Sequence, residues 1–400
     1  MTVFQIGVLG AGTMGRGIAQ VAALAGYETY LYEPDPEALE LGQILLGEEL
    51  SKGVERGRWS DAEGTAAVER IYPGGEIGEL AGCDLVVEAA PEDLELKRQL
   101  FARVAAVCGP ETVLASNTSS LRISEIATGV PSPERVVGMH FFNPPTLMKL
   151  VEVVAGRESS DRALSAATEV ALRMRRTPIH AKDSPGFVAN RLARPFSLES
   201  LRILGDGVAD AERIDRIVRL GGGFRMGPFE LLDLIGLDVN LTIARSFYAQ
   251  GGEPERWRPS PIQERLVEEG KLGRKSGEGY YAYGEGVERE LDPELGILAP
   301  TLDPEKLTRV DPAAGEVLPR LFAQIANEAA FAREEGIASP EDMDTAMRLG
   351  FNWPVGPSGF TKLIGPERAV ELLDSLETEK GAAYRPAPVL RAAATANGRT

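Results

Sequence analysis

"VFQIGVLGAGTMGRGIAQVAALAGYETYLYEPD", residues 3–35, decides the fold. An apolar run leads into Gly10, Gly12 and Gly15 in G-x-G-x-x-G spacing. An Ala-rich run follows, and a second apolar run, "ETYLYE", ends on Glu33. The glycine spacing alone is a weak signal. A strand before it, a helix after it and a second strand closing on an acid make it the fingerprint of a dinucleotide-binding βαβ unit. Each glycine has its own reason: Gly10 permits the turn, Gly12 lets the backbone approach a pyrophosphate, and Gly15 lets helix and strand pack closely.

The helix that opens at Thr13 and Met14 offers free N–H groups and a positive dipole end to phosphates. Glu33 stands where an acid bonds a ribose 2′-hydroxyl. It would repel a 2′-phosphate, so NAD is expected over NADP. The pattern then continues as a doubly wound sheet. "CDLVVEAAP" (83–91), "TVLASNTSSL" (112–121) and "RVVGMHFFN" (135–143) read as buried strands, with "EDLELKRQLFARVAAVC" (92–108) as a helix between the first two. Functional groups in such sheets gather at the carboxyl ends of strands, where Glu92, Ser116, Asn117, Ser119 and His140 fall. Residues 36–71 read as a polar helical hairpin. Its Lys52 and Arg56 are spaced i, i+4 with Arg58 nearby, and they form either a weak contact for an anionic substrate tail or a solvated face.

The chain has two histidines, His140 and His180. In "GMHFFNPPTLMKLVEVV" (138–154), His140 ends an apolar run and a second strand-like run carries Glu152. A buried strand needs neither group, whereas a base with an orienting acid needs both. His180 precedes a loop and is read as structural. Two cysteines, Cys83 and Cys108, give neither a disulfide framework nor zinc spacing, so no metal is expected and both are read as buried, inert thiols of a reducing cytoplasm. The net charge of −17 argues against nucleic acid and anionic membranes as partners. No segment approaches ~18 uninterrupted apolar residues, so no membrane span is expected. The N-terminus lacks the basic stretch of a signal peptide.

After about residue 182 the texture becomes helical. "GRKSGEGYYAYGEG" (273–286) reads as a loop holding Lys275, and 287–312 as a linker rich in Pro, Asp and Gly. An offset of 129 then pairs Glu199 with Glu328, Gly207 with Gly336, Asp215 with Asp344, Gly227-Pro228 with Gly356-Pro357 and Gly236 with Gly365. The expected architecture is therefore a Rossmann-type NAD-binding domain (1–182) and two all-α domains, 183–286 and 313–400, related by internal duplication. The tail from about Tyr384 is Ala- and Pro-rich and is expected to fray.

"SNTSSL" (116–121), "HFFNPP…MKLVEVV" (140–154), "DSPGFVANR" (183–191) and "GPFELLD" (227–233), in this order after a Rossmann fingerprint, resemble the short-chain L-3-hydroxyacyl-CoA dehydrogenases. The resemblance runs over roughly residues 3–284 and more loosely over 315–380. It implies reversible, NAD-dependent oxidation of a 3-hydroxyacyl-CoA in fatty-acid metabolism and β-oxidation. His140 would be the base, Glu152 its partner, and Ser119 and Asn190 the substrate-polarising groups. Glu33, Glu92, Lys97, Asn143 and Lys275 would contact NAD beside the glycines. The second helical copy has Pro319 where the offset places Asn190, so it would supply interface, as an intramolecular pseudo-dimer within a monomer or homodimer. The hairpin has few lysines for a coenzyme A site. A dehydrogenase of a sugar acid or other free 3-hydroxy acid, and a non-catalytic NAD-binding protein, are the alternatives.

Overall fold

A computed structural model describes residues 3–284 and 299–397. The chain divides into two compact units, Met1–Phe187 and Val188–Thr400.

The first unit is an α/β layer structure. Its elements are β1 (Gln5–Leu9), α1 (Thr13–Leu24), β2 (Glu28–Tyr32), α2 (Pro36–Glu55), α3 (Asp61–Glu69), β3 (Ile71–Gly74), β4 (Leu85–Glu88), α4 (Leu94–Val107), β5 (Val113–Ser116), α5 (Ile123–Ile126), β6 (Val136–Phe141), β7 (Leu150–Ala155), α6 (Asp161–Arg173) and β8 (Thr177–Lys182). The strands form one sheet in the order β3-β2-β1-β4-β5-β6-β7-β8. Neighbours run parallel except β6 and β7, which are antiparallel. Strands β4, β5 and β6 are buried along their whole length, which is why they read as unbroken apolar runs. Strand order reverses between β1 and β4, and ligands of such sheets bind outside the carboxyl ends at that point.

Local signals set the helix ends. Asp35 accepts from Glu37 N–H and Ala38 N–H at the start of α2, with Pro36 in the first turn. Ser60 and Glu63 form a capping box on α3, completing the hairpin expected over 36–71. The unit ends five residues later than the expected boundary, because Asp183 belongs to it: its carboxylate accepts from Ile123 N–H (2.9 Å) and Ser124 N–H (2.8 Å). Cys83 and Cys108 are free and buried, and burial pushes their thiols up to about 12 and about 11.

The second unit is helical: α7 (Ala189–Leu192), α8 (Arg194–Gly205), α9 (Ala211–Leu220), α10 (Pro228–Ile235), α11 (Leu237–Gln250), α12 (Pro261–Glu268), α13 (Pro304–Val310), α14 (Ala314–Glu334), α15 (Pro340–Gly350), α16 (Pro357–Ile364), α17 (Pro366–Lys380) and α18 (Pro388–Asn397). The two helical segments gather into one compact unit, in which α14 packs on α8, α9, α16, α17 and α18. Two expectations change here. Of the expected linker, 287–298 lies outside the described residues, while 304–310 is helix α13, with Leu307 and Val310 buried. The tail does not fray over its described part. Tyr384, Ala387 and Leu390 are buried, and α18 packs on α14 and α17.

Two buried ion-pair clusters cross this unit. Arg191 gives its Nε to Glu328 (2.7 Å) and its two terminal nitrogens to Glu335 (2.6 and 2.9 Å). Arg320 gives its Nε to Glu199 (2.8 Å), one terminal nitrogen to Asp206 (2.8 Å) and the other to the Tyr384 hydroxyl (2.8 Å). Removing one member of such a pair leaves a buried charge uncompensated, at about 3–5 kcal/mol. Arg191→Ala and Arg320→Ala should each lower stability by that amount in chemical denaturation, whereas Arg245→Ala, on an exposed pair with Glu264, should cost under ~1 kcal/mol.

Candidate active site

The carboxyl ends of β1 and β4 build the first wall of the candidate site. Gly10 has φ +100°, a left-handed conformation that a side chain would strain. A Cβ on Gly15 would lie 1.8 Å from the Gly10 carbonyl oxygen, so only glycine lets α1 start this close to β1. A Cβ on Gly12 would meet nothing within 4 Å, so the loop is open at that residue. Gly12 caps α1, and the N–H groups of Thr13, Met14 and Gly15 in its first turn have no intrahelical acceptor. No acidic residue occupies that turn. These features fit a dinucleotide pyrophosphate. Glu33, just past β2, accepts from Ala11 N–H (3.1 Å) and Asp35 N–H (3.3 Å), which ties its carboxylate to the glycine loop.

Beyond β4 lies a buried charge network. Glu88, fully buried, accepts from Lys97 Nζ (2.6 Å), Ala90 N–H (2.6 Å) and Ser116 Oγ (2.6 Å). Lys97 also bonds the Ala90 carbonyl (3.1 Å) and reaches Glu92 (3.3 Å). Glu92 in turn gathers the loop after β5, accepting from Thr118 Oγ1 (2.5 Å), Ser120 Oγ (2.8 Å) and the N–H groups of Ser119 and Ser120 (3.2 Å each). Burial alone would raise the Glu92 carboxyl. The Lys97 charge and the bonds from Thr118 and Ser120 outweigh it and hold the group below its ordinary value. Lys97, expected at the cofactor, is 1% exposed and is neither a surface lysine nor open to solvent. Its contact with the strand-end loop is made through Glu92. Ser119 is exposed on the loop that Glu92 holds.

His140 and Glu152 face each other directly across β6 and β7. Opposed residues of an antiparallel pair point to the same face about 5 Å apart at Cβ. His140 Nδ1 meets Glu152 Oε2 at 2.6 Å, with the carboxylate fully buried and the imidazole 8% exposed. The Phe142 and Phe187 rings flank it, with centroids at 4.5 and 5.9 Å. The bond to Glu152 selects the tautomer with the proton on Nδ1 and leaves Nε2 as an acceptor. Asn117, at the end of β5, accepts from Phe141 N–H (2.8 Å) and braces the neighbouring residue.

Asn143 is exposed on the loop that follows, and its peptide bond to Pro144 is cis. Pro145 sits against α1: a Cβ on Gly17 would be 2.8 Å from its Cδ. That contact brings the loop after His140 onto the helix of the glycine motif.

Four candidates remain. Lys52 is exposed on α2 and paired with Glu48 (2.9 Å), so its charge is locally answered. His180 is exposed on β8, 3.2 Å from the Thr168 hydroxyl. Asn190 and Lys275 belong to the helical unit. Asn190 is half-buried in α7, and Lys275, in a short 3₁₀ turn, bonds Asp238 at 2.6 Å.

Known proteins resemble this chain over both units. The model of the 3-hydroxyacyl-CoA dehydrogenase NAD-binding domain matches residues 5–184, and that of the C-terminal domain of the same enzymes matches 186–283 and 315–399. The chain belongs to the 3-hydroxyacyl-CoA dehydrogenase family. It is thus an NAD-dependent oxidoreductase. The 3-hydroxyadipyl-CoA dehydrogenase of Escherichia coli K12 is 36% identical over 98% of this chain and 97% of its own. A probable 3-hydroxybutyryl-CoA dehydrogenase of Deinococcus radiodurans is 43% identical over 70% of this chain and all of its own. The crystal structure of 3-hydroxybutyryl-CoA dehydrogenase from E. coli K12 superposes with a TM-score of 0.89 over both whole chains at 34% identity.

Sequence reading of this dehydrogenase passed over Glu88, Ser116 as its partner, and Gly17. Glu88 carried a usable signal, a carboxylate inside an apolar strand. Gly17 carried none, because its partner Pro145 is remote in sequence. Lys97→Met should leave Glu88 buried without its countercharge and cost about 3–5 kcal/mol of stability. NADH titration of the same variant should show weakened binding as Glu92 loosens. Native stability with native affinity would remove Lys97 from the site.

Proposed function

We propose that His140 removes the 3-hydroxyl proton of an L-3-hydroxyacyl-CoA as the 3-ketone forms, and returns it in the reverse direction. The observation that carries this is the 2.6 Å bond from His140 to the buried Glu152, on a strand end whose following loop rests on α1. A histidine base works near neutral pH, and the imidazolium it becomes needs a countercharge. Glu152 is positioned to hold the tautomer and to stabilise that charge. When bound, NAD⁺ supplies the hydride acceptor. The first turn of α1, Glu33 and Glu92 would hold it, with Asn143 and Lys275 as further contacts carried by the family motifs. Glu33, fixed at the glycine loop, disfavours a 2′-phosphate and so favours NAD over NADP.

Ser119 is the proposed donor to the reacting oxygen and Asn190 the donor to the thioester carbonyl. A 3-ketoacyl thioester has enolate character, so such donors stabilise developing negative charge. Family models over both units favour an acyl-CoA over a free hydroxy acid. The relatives' names offer two acyl groups, a four-carbon monoacid and a six-carbon diacid. Among the described residues no helix is long and apolar enough to cross a membrane and no cluster could hold a metal ion. The two buried free thiols suit the proposed reducing cytoplasm.

We further infer that the helical unit is a duplication packed as an intramolecular pseudo-dimer. Under the 129-residue offset α9, α10 and α11 correspond to α15, α16 and α17. Arg191 corresponds to Arg320, Glu199 to Glu328 and Asp206 to Glu335. The two ion-pair clusters therefore exchange partners: each copy's arginine enters the other copy's carboxylates, the reciprocity of a two-fold interface. Asp215 accepts from Phe229 N–H and Asp344 from Ser358 N–H at the matching place, both at 2.9 Å. Pro319 stands at the position of Asn190, so the second copy would supply interface without chemistry.

Two measurements follow. His140→Gln should lower kcat by roughly 10²–10⁴ with NADH affinity near normal, while His180→Gln changes little. Retention of most activity by His140→Gln would reject the mechanism. Calorimetric titration with a 3-ketoacyl-CoA in the presence of NAD⁺, a pair that does not react, should give one thioester site per chain; two would restore a working site to the second copy.

A further inference from the structure

Among the described residues, three arginines of the helical unit are buried: Arg191, Arg194 and Arg320. Arg191 and Arg320 are held by carboxylates. Arg194 is 7% exposed, and its Nε and Nη1 are buried without a hydrogen-bond partner. It makes no ion pair among the described residues. Its guanidinium lies over the Phe247 ring, 5.2 Å from the centroid. Burial pushes the group down to about 10, so it stays cationic at neutral pH. An ionised group buried without a partner is strongly unfavourable. Packing does not demand it either: the corresponding residue of the second copy is Ala323, fully buried on α14.

Arg194 follows Asn190 by four residues. Ala193, at φ −76° and ψ −16°, carries the helical path from α7 into α8. Residues i and i+4 share a face, about 6 Å apart along the axis. In an extended six-carbon diacid, five bonds of about 1.5 Å put the two carboxyl carbons roughly 6 Å apart. A donor at the thioester and a guanidinium one turn further on therefore match the two ends of such a chain. The planar guanidinium, with Phe247 on one face, offers N–H donors of the geometry a carboxylate accepts.

We propose that Arg194 is a specificity-determining residue that binds a carboxylate at the far end of the acyl chain, so that the preferred substrate is the CoA thioester of a 3-hydroxydicarboxylic acid. The proposal rests on the reading above that Asn190 meets the thioester end. An uncharged acyl tail would leave the cation unanswered, whereas a carboxylate would supply the missing partner.

The test compares kcat/KM for 3-hydroxyadipyl-CoA and 3-hydroxyhexanoyl-CoA, equal in length and different in terminal charge, followed by NADH absorbance. The wild-type enzyme should favour the diacid by roughly 10- to 100-fold, the worth of hydrogen bonds to a charged group. Arg194→Met should collapse that ratio towards one and raise Tm, because an unpartnered buried cation is gone. Arg194→Lys should keep part of the preference. A wild-type enzyme that turns over both thioesters equally, or an Arg194→Met loss that leaves the ratio intact, overturns the proposal. Failure of the wild type on both thioesters and on 3-hydroxybutyryl-CoA rejects the dehydrogenase reading itself, and the proposal with it.

Discussion

The first unit hinges on one close approach, that of α1 to the end of β1. Gly15 packs against the Gly10 carbonyl at a distance no side chain tolerates. The neighbouring contacts have the same character. Gly17 admits Pro145, and Gly42 of α2 admits Ala11, where a Cβ would come within 2.7 Å of another Cβ. Three missing side chains thus bring the phosphate-facing turn, the loop after His140 and the helical hairpin onto α1 and the loop that opens it. Interiors this tightly packed transmit displacement. A methyl group at Gly17 would shift the loop of Asn143 relative to the turn that Glu33 holds, without touching any polar group.

How far the chain could be read follows from how local each signal is. The glycine spacing, the strand runs and the caps of α2 and α3 are written in consecutive residues, and they were legible. The His140–Glu152 pair was legible because a twelve-residue separation spans one antiparallel turn-back. The Glu88–Lys97–Glu92 cluster was only half legible. Lys97 could be named, but its burial depends on β4, α4 and the loop after β5 meeting at one place. The ion pairs of Arg191 and Arg320 cross more than a hundred residues and leave no local trace. The helix inside the expected linker escaped because Pro and Asp read as turn residues, whereas Asp303-Pro304 here is an N-cap followed by a first-turn proline.

Within the helical unit, charge sets what apolar packing leaves open. Helices rich in Ala and Leu pack in several registers at similar cost. A guanidinium gripped by two carboxylates from another segment accepts one register only, since any slip leaves a buried charge unanswered. On the proposed duplication the constraint is applied twice, once from each copy. Trp257 and Tyr384, each closing a short 3₁₀ turn, reinforce it, the first donating to Glu328 and the second hydrogen-bonding Glu199.

The same comparison isolates what is not architectural. On the proposed duplication, a residue type that both copies keep, as at Arg191 and Arg320 or Asp215 and Asp344, is one that the fold alone accounts for. Where they part, packing has been satisfied by something simpler: Pro319 for Asn190 and Ala323 for Arg194. Those two positions lie one helical turn apart on one face. An unanswered cation is costly in a helical core, and on the proposed duplication the second copy does without one at the position of Arg194. On the proposals above, Asn190 and Arg194 both find their partner in a bound ligand. A substrate with a carbonyl at one end and an anion at the other is such a partner.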